Sequence, residues 1–206
     1  SLHDALPIWT LYLVRHGEYD HSDLRNSRVG KGLVASGKAQ AELTGEWLAG
    51  LGVHFTALHS STYRRAAETA AIIATYLPHL ALHRTGGLRE CLAPGLHETR
   101  EGSDGQELGP DASPQAQSRA HVEAAFSRFF RSARSEDRHE LLVCHGNLIR
   151  CLLHCALGIE PWGTMPLGTH NCGVTRVRID PHGQMVLLTY NEIGHLPVEL
   201  WTEPGG

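Results

Sequence analysis

Two histidines in this chain each follow a short apolar run, where they could act on a bound anion. Residues 11–14 are followed by Arg15 and His16, and residues 141–144 are followed by His145. Apolar runs of this length are typical of buried strands in a parallel sheet. In open α/β sheets ligands bind at the carboxyl ends of the strands, so both histidines are predicted to lie at one binding edge. A single histidine so placed is most often structural, whereas two that converge on one edge favour a functional site.

Adjacent arginines are predicted to reach the same edge. Residues 60–70 follow a predicted strand directly, so Arg64 and Arg65 fall in the first turn of the next predicted helix. A guanidinium group can bind two oxygens of one anion, and a helix N-terminus adds positive potential. The alternative is that both arginines are solvated surface charges, which is the usual state of arginine in a first helical turn. The accompanying histidines favour an anion site.

Alternating strand and helix patterns supply the scaffold for these residues. Predicted strands cover 11–14, 56–60, 81–83 and 141–144, predicted helices cover 36–51, 62–77, 122–133 and 149–156, and 174–179 with 185–190 form a predicted terminal hairpin. This alternation predicts a three-layer α/β/α sandwich with a mainly parallel central sheet. Ser36 is the expected N-cap of the first helix. Residues 91–117, rich in Gly, Pro and acidic side chains, are predicted to form a long loop that is functional or mobile.

No linker or repeat divides the chain, so residues 10–206 are predicted to form one domain. Residues 1–9 are left outside it as a non-native or disordered extension, because SLHDALPI resembles translated sequencing-adapter read-through. This segment lacks the basic region and apolar stretch of a signal peptide.

Composition narrows the classes of function. The chain has 206 residues, 41% of them hydrophobic and 19% charged, which is typical of soluble globular domains. A formal net charge of −4 argues against a nucleic-acid partner. No apolar run approaches the roughly 20 residues of a membrane span, so no membrane partner is expected. The five cysteines form no CxxC pair, which indicates reduced thiols in a cytoplasmic protein. The fifteen histidines form no HExxH motif and no zinc-like Cys/His quartet, so no metal is expected.

Four ordered motifs carry a resemblance to a known family. RHG at 15–17, SSxxxRAxxTA at 60–70, LRE at 88–90 and CHGNLIR at 144–150 resemble the histidine phosphatase superfamily, also called phosphoglycerate-mutase-like. The resemblance covers roughly residues 11–192. Residues 41–52, 57–69, 121–133 and 144–150 are similar in particular to members that are serine/threonine protein phosphatases.

The resemblance implies a phosphoglycerate-mutase-like fold and a phosphoryl-transfer site without metal or cofactor. His16 would be the nucleophile and Glu90 the proton donor. Arg65 directly precedes the Ala of the RA motif and is therefore assigned to the site, with Arg64 as the spare. The phosphate pocket would be formed by Arg15, His16, Arg65 and His145, with His145 protonated. Two arginines and a histidine would stabilise the negative charge on the transferring group.

Three functions remain open at this stage. The first is a phosphatase whose partner is a phosphorylated protein or a small phosphoester, with the oligomeric state left open. The second is a cofactor-dependent phosphoglycerate mutase, and the third is a non-catalytic module that binds phospho-ligands. A mutase needs extra cations for a second anionic end, but acidic residues outnumber basic ones near the predicted site. They are Glu18, Asp20 and Asp23 before Arg25, and Glu98, Glu101, Asp104, Glu107 and Asp111 against Arg100. One departure from the protein phosphatases is Gly17, where those members tend to carry serine.

Overall fold

Ten regular elements build the molecule in the computed structural model, which describes residues 6–22, 32–92, 113–159 and 167–203. In chain order they are β1 (Trp9–Arg15), α1 (Ala35–Gly50), β2 (Ala57–Ser61), α2 (Arg64–Tyr76), β3 (Leu82–Thr85), α3 (Pro114–Phe129), β4 (Arg138–Cys144), α4 (Gly146–Ala156), β5 (Val174–Ile179) and β6 (Met185–Glu192). Single 3-10 turns cover Gly86–Leu88 and Val198–Leu200. Strands and helices alternate as far as β5, as the sequence predicted.

The sheet has six strands in the order β3-β2-β4-β1-β5-β6. Its first four strands are parallel, and the terminal hairpin β5–β6 is added to β1 in antiparallel fashion. The predicted mainly parallel sheet is therefore confirmed. Strands β1 and β4 are direct neighbours, and Arg15 is in register with Cys144. The residues that follow them, His16 and His145, therefore leave the sheet side by side at one edge.

Alternating side chains bury the two faces of the sheet under different helices. Leu11 and Leu13 of β1 join one core with residues of α3 and α4. Tyr12 and Val14 point to the other face, where they join residues of α1 and α2. Because successive side chains of a strand point to opposite faces, an unbroken apolar run requires cover on both sides. The result is the predicted three-layer α/β/α sandwich.

Two predicted boundaries were wrong. Strand β1 begins at Trp9, a residue that the sequence-based boundary had placed in the excluded extension, and its side chain is buried in the core. Helix α3 begins at Pro114, inside the predicted loop 91–117, and the Ser113 hydroxyl accepts a hydrogen bond from the amide of Ala116. Residues 93–112 of that loop lie outside the described residues. No helix in the described parts of the chain is long and apolar enough to cross a membrane.

The predicted cap of the first helix was also wrong. The N-cap of α1 is Val34, which has no side-chain capping bond. Ser36 instead donates its hydroxyl proton to the carboxylate of Glu18. A tertiary contact has therefore replaced the local capping bond, and it links the start of α1 to Glu18 in the loop after β1.

Candidate active site

His16 is held as an imidazole with one unprotonated nitrogen. Its side chain is 2% exposed. Nδ1 lies 2.9 Å from the carbonyl oxygen of Gly17, which can only accept, so Nδ1 carries the proton. Nε2 lies 3.0 Å from Nε of Arg65, which can only donate, so Nε2 is the acceptor. The two partners assign the tautomer, and they leave a nucleophilic nitrogen facing a cation.

The structure separates the two adjacent arginines. Arg65 is 5% exposed, and its guanidinium carbon lies 4.8 Å from the ring centre of Tyr19 and 5.2 Å from that of Tyr63. The Arg64 side chain is 63% exposed and pairs with Glu68 at 2.7 Å, four residues along the same helix. The first turn of α2 therefore directs Arg65 into the site and Arg64 to the surface, as the RA motif implied.

The second arginine of the predicted pocket, Arg15, ends strand β1. Its guanidinium donates to the carbonyl oxygen of Thr169, in the segment that leads to β5. Burial lowers the pKa of Arg15, and Arg65 lowers it further, whereas the carboxylate of Glu90 acts in the opposite direction. These mutual effects place Arg15, Arg65 and Glu90 within electrostatic reach of one another.

His145 lies beside His16 at the neighbouring strand end. It is fully buried, and the two imidazole ring centres are 5.2 Å apart. Its Nε2 is 2.9 Å from the hydroxyl of Ser61. That hydroxyl accepts from the amide of Tyr63, and among the described residues Nε2 is the acceptor left for its own proton, so the imidazole proton falls on Nδ1. Nδ1 has no hydrogen-bond partner among the described residues. The site therefore offers an N–H donor at Nδ1.

The surroundings of His145 act against the protonated form that the resemblance implied. Burial lowers its pKa well below the usual range, and the charges of Arg65 and Arg15 lower it further. A cation next to two guanidinium groups in a dry site is unfavourable until an anion arrives. Burial and the two guanidinium charges therefore favour the neutral form of His145.

Glu90 is anchored at the N-terminus of α4, immediately after His145. Its Oε1 accepts from the backbone amides of Leu148, at 3.1 Å, and Cys91, at 3.2 Å. Burial raises the pKa of Glu90, although these two bonds and the charges of Arg65 and Arg15 oppose the rise. The carboxyl group consequently keeps its proton to higher pH than a glutamate in water.

The pKa of His16 moves in the other direction. Burial lowers it well below the usual range, and His145, Arg65 and Arg15 lower it further. In water a histidine loses its proton at higher pH than a glutamate. The site lowers the pKa of His16 and raises the pKa of Glu90, so it shifts the two values toward the reverse of their order in water. These shifts favour a neutral imidazole and a protonated carboxyl. A neutral imidazole is the form that can act as a nucleophile, and a protonated carboxyl is the form that can act as an acid.

Close backbone contact fixes the loop that carries His16. A Cβ atom on Gly17 would lie 2.6 Å from the carbonyl oxygen of Gly37 in α1. The start of α1 therefore approaches the loop as closely as glycine allows. The similar protein phosphatases tend to carry serine at this position. In this chain a serine at residue 17 would require the first turn of α1 to move.

Several residues of the site were missed by the sequence analysis. Tyr19 and Tyr63 flank Arg65, and their rings lie 5.2 Å from those of His16 and His145 respectively. Asn171 donates to the carbonyl oxygen of His16. Thr69, which accepts from the amide of Gly17, is the threonine of the SSxxxRAxxTA motif, so the motif contained a signal for it. Nothing in the sequence singled out the other three.

Only some of the acidic residues predicted near the site lie in the described part of the chain. The Glu18 carboxylate is tied to Ser36, and Asp20 is half-buried close to Gly32. Asp23, Arg25, Glu98, Arg100, Glu101, Asp104, Glu107 and Asp111 lie outside the described residues. Over the described ranges no group of three or more His, Cys, Asp or Glu side chains is arranged to hold a metal ion. All five cysteines are free thiols, and four of them are buried.

Comparison with known proteins agrees with this geometry. The family model described as histidine phosphatase superfamily (branch 1) matches residues 11–192. The chain is 35% identical to the mitochondrial serine/threonine-protein phosphatase Pgam5 of Caenorhabditis elegans, over 91% of its own length and 64% of the relative's. It is 34% identical to human PGAM5, over 91% of its own length and 63% of the relative's. The chain thus spans less than two thirds of these relatives.

Solved structures share the fold. A phosphoglycerate mutase from Plasmodium falciparum superposes with a TM-score of 0.61 at 26% identity, covering 93% of this chain and 96% of that one. A phosphoserine phosphatase from Entamoeba histolytica, bound to 3-phosphoglyceric acid, superposes with a TM-score of 0.65 at 22% identity, covering 92% and 100%. The expected cytoplasmic location was wrong, because the similar phosphatases are named mitochondrial.

Proposed function

The chain belongs to branch 1 of the histidine phosphatase superfamily, and on that premise we propose that it hydrolyses phosphomonoesters through a phosphohistidine intermediate on His16. One observation carries the proposal. The unprotonated Nε2 of a buried, neutral His16 lies 3.0 Å from the guanidinium Nε of Arg65. A nucleophile and the charge that would stabilise its product are thus already in contact. A binding module would have no need of a nucleophile held in this tautomer.

In the first step the phosphoryl group of the substrate enters between Arg15, Arg65 and His145. Its oxygen atoms replace His16 Nε2 as acceptors for Arg65, and Nδ1–H of His145 donates to another of them. His16 Nε2 then attacks phosphorus in line, so that a P–N bond forms as the P–O bond to the leaving group breaks. Glu90 gives its proton to the leaving oxygen. The enzyme now carries phosphohistidine and an ionised Glu90.

In the second step Glu90 acts as a base. Its carboxylate takes a proton from a water molecule as the water oxygen attacks phosphorus. The P–N bond breaks, its electron pair returns to Nε2, and inorganic phosphate leaves. His16 is again neutral and Glu90 is again protonated. This cycle restores the two protonation states that burial favours before the substrate binds.

Replacing Glu90 with glutamine should lower kcat/KM for an alkyl phosphoester about 10²-fold, because an alkoxide leaving group depends on the acid. The wild-type rate should fall at high pH as Glu90 loses its proton, and the raised pKa of Glu90 places that fall above the range of a glutamate in water. The variant has no such group, so its profile should lack this fall. Complete pH profiles of kcat/KM for both proteins are the measurement.

The matched control is Glu46→Gln, an exposed glutamate of α1, which should leave the profile unchanged. An aryl phosphate, whose leaving group needs little protonation, should lose much less rate in the Glu90→Gln protein. A variant that still loses activity at high pH like the wild type would assign the acid to another residue.

The proposed substrates are phosphoserine and phosphothreonine in proteins. The support is the similarity to relatives named serine/threonine-protein phosphatases over more than nine tenths of this chain. A phosphorylated side chain has one dianionic end, which matches a pocket in which Arg15 and Arg65 supply the positive charge and His145 supplies an N–H donor. A mutase must also bind a second anionic end.

The test compares phosphate release from phosphoserine and phosphothreonine peptides with turnover of 3-phosphoglycerate in the presence of a bisphosphate primer. We expect free phosphate from peptides at least as fast as from small sugar phosphates, and unchanged rates after exhaustive chelation. Interconversion of 3- and 2-phosphoglycerate without phosphate release would refute the phosphatase. Hydrolysis confined to one metabolite would discard the protein substrate and keep the mechanism. Activity lost to EDTA and restored by one metal would overturn metal independence.

A further inference from the structure

The peptide unit between His16 and Gly17 is fixed at both of its polar atoms. The carbonyl oxygen of His16 accepts from Nδ2 of Asn171 at 2.8 Å, across 155 residues of sequence. The amide of Gly17 donates to the hydroxyl of Thr69 at 2.9 Å. The next carbonyl along the chain, that of Gly17, accepts from His16 Nδ1 and so fixes the tautomer of His16. The direction of that carbonyl depends on the orientation of the His16–Gly17 peptide plane. A rotation of the plane would therefore disturb the nucleophile itself.

Asn171 is held in one orientation by Thr202. The hydroxyl of Thr202 donates to Oδ1 of Asn171 at 2.9 Å and accepts from the Asn171 backbone amide at 3.3 Å. Since Oδ1 is occupied by a donor, the NH₂ end of the amide must face the carbonyl of His16. Asn171 is 7% exposed, so water does not compete freely for these bonds. The segment after the 3-10 turn Val198–Leu200 is thus linked to the nucleophile through one side chain.

A second bond from the same segment reaches the same loop. Gln40 of α1 is fully buried, and its Nε2 donates to the carbonyl oxygen of Leu200 at 2.8 Å. Its Oε1 accepts from the amide of Glu18 at 2.8 Å. The loop after β1 is therefore tied to residues 200–202 at two points, His16 and Glu18.

The turn that presents Asn171 has an unfavourable backbone. Cys172 adopts φ of 56°, in the left-handed region that residues other than glycine rarely enter. A Cβ on Gly173 would lie 3.1 Å from the carbonyl oxygen of His170 and would collide with the side chain of Asn191. Asn191, itself at φ of 49°, accepts from the amide of His170 at 2.9 Å. Conformations of this kind persist where the surrounding structure enforces them, and they concentrate at functional sites.

From this network we propose that Asn171 is a positioning residue for His16, and that Thr202 sets the orientation of its amide. The inference rests on the proposed role of His16 as nucleophile. Asn171 acts on the reaction through the His16–Gly17 peptide, and it touches neither the substrate nor the phosphoryl group. Its contribution should therefore appear in the rate of phosphoryl transfer and leave substrate binding largely unaltered.

The test follows the presteady-state burst of phenol release from an aryl phosphate, which reports formation of the phosphoenzyme. Asn171→Ala should slow the burst about 10- to 100-fold, the scale expected for a misplaced nucleophile, with KM changed less than about threefold. Thr202→Val, near the surface and almost isosteric, should slow it several-fold. Thr202→Ser, which keeps the hydroxyl, should recover most of the wild-type rate.

Melting temperatures of all variants separate positioning from loss of fold. If Asn171→Ala does not fold, the burst rates of Thr202→Val and Thr202→Ser test the inference instead. A wild-type burst rate in a folded Asn171→Ala protein, or equal rates in the two Thr202 variants, would overturn the inference while leaving the nucleophile intact. Absence of an acid-labile phosphohistidine in the wild-type protein would refute the proposed function, and the inference with it.

Discussion

Replacing His16 with alanine should abolish turnover, with a loss of at least about 10⁴-fold in kcat, because the covalent route disappears with the nucleophile. The remaining pocket still contains Arg15, Arg65 and His145, so the variant should bind phosphorylated substrates and inorganic phosphate. The measurements are steady-state turnover of a phosphopeptide and trapping of acid-labile phosphate on the protein. The wild type should show trapped phosphate and the variant should show none.

The fold should survive this change. His16 is buried, but it follows the last residue of β1 and lies outside the three apolar clusters of the core. The matched control is His182→Ala, an exposed histidine in the turn between β5 and β6, which should retain wild-type activity. A folded His16→Ala protein that retains a tenth of the wild-type rate would show that another group is the nucleophile.

The sheet and the core of the site could be predicted because they depend on local patterns. The apolar runs at 11–14 and 141–144 indicated buried strands, and each strand end carried a histidine. Parallel strands bring such ends to one edge, which is why His16 and His145 could be paired across 129 positions of sequence. The choice of Arg65 over Arg64 came from the resemblance, whose motif places an arginine directly before Ala66. One residue of register on a helix turns a side chain by about 100°, so the two arginines point in different directions.

Other features depend on contacts between distant segments, which no local pattern reveals. Ser36 has the chemistry of an N-cap, but Glu18 competes for its hydroxyl once the fold is formed. In the sequence Asn171 resembles an ordinary turn residue. Only the pairing of β5 with β1 brings its side chain within hydrogen-bond distance of His16. The pKa of His145 likewise depends on desolvation and on charges that only the fold brings together. Sequence patterns identified the candidate groups, whereas their protonation and orientation depend on tertiary contacts.

Replacing Arg65 with alanine should lower kcat/KM about 10³-fold, since it removes a charged donor at the developing negative charge in a site shielded from water. The loss should fall on kcat as well as on KM, because Arg65 contacts the nucleophilic nitrogen before the substrate arrives. Removing its charge also removes one cause of the lowered pKa of His16. The decline of the rate at low pH should therefore begin at higher pH in the variant than in the wild type.

Arg64→Ala is the matched control, because it deletes the same side chain one residue earlier on the same helix turn. Its partner Glu68 lies at the surface, and an exposed pair four residues apart contributes only about 0.3–0.5 kcal/mol to stability. Its kcat/KM should therefore stay within about twofold of the wild type, a change of less than about 0.5 kcal/mol in transition-state binding. Steady-state kinetics and pH profiles of both variants on one phosphopeptide are sufficient. Equal losses, or a larger loss at Arg64, would mean that the register of α2 relative to the pocket is wrong, since only the inward-facing guanidinium can reach the phosphoryl oxygens.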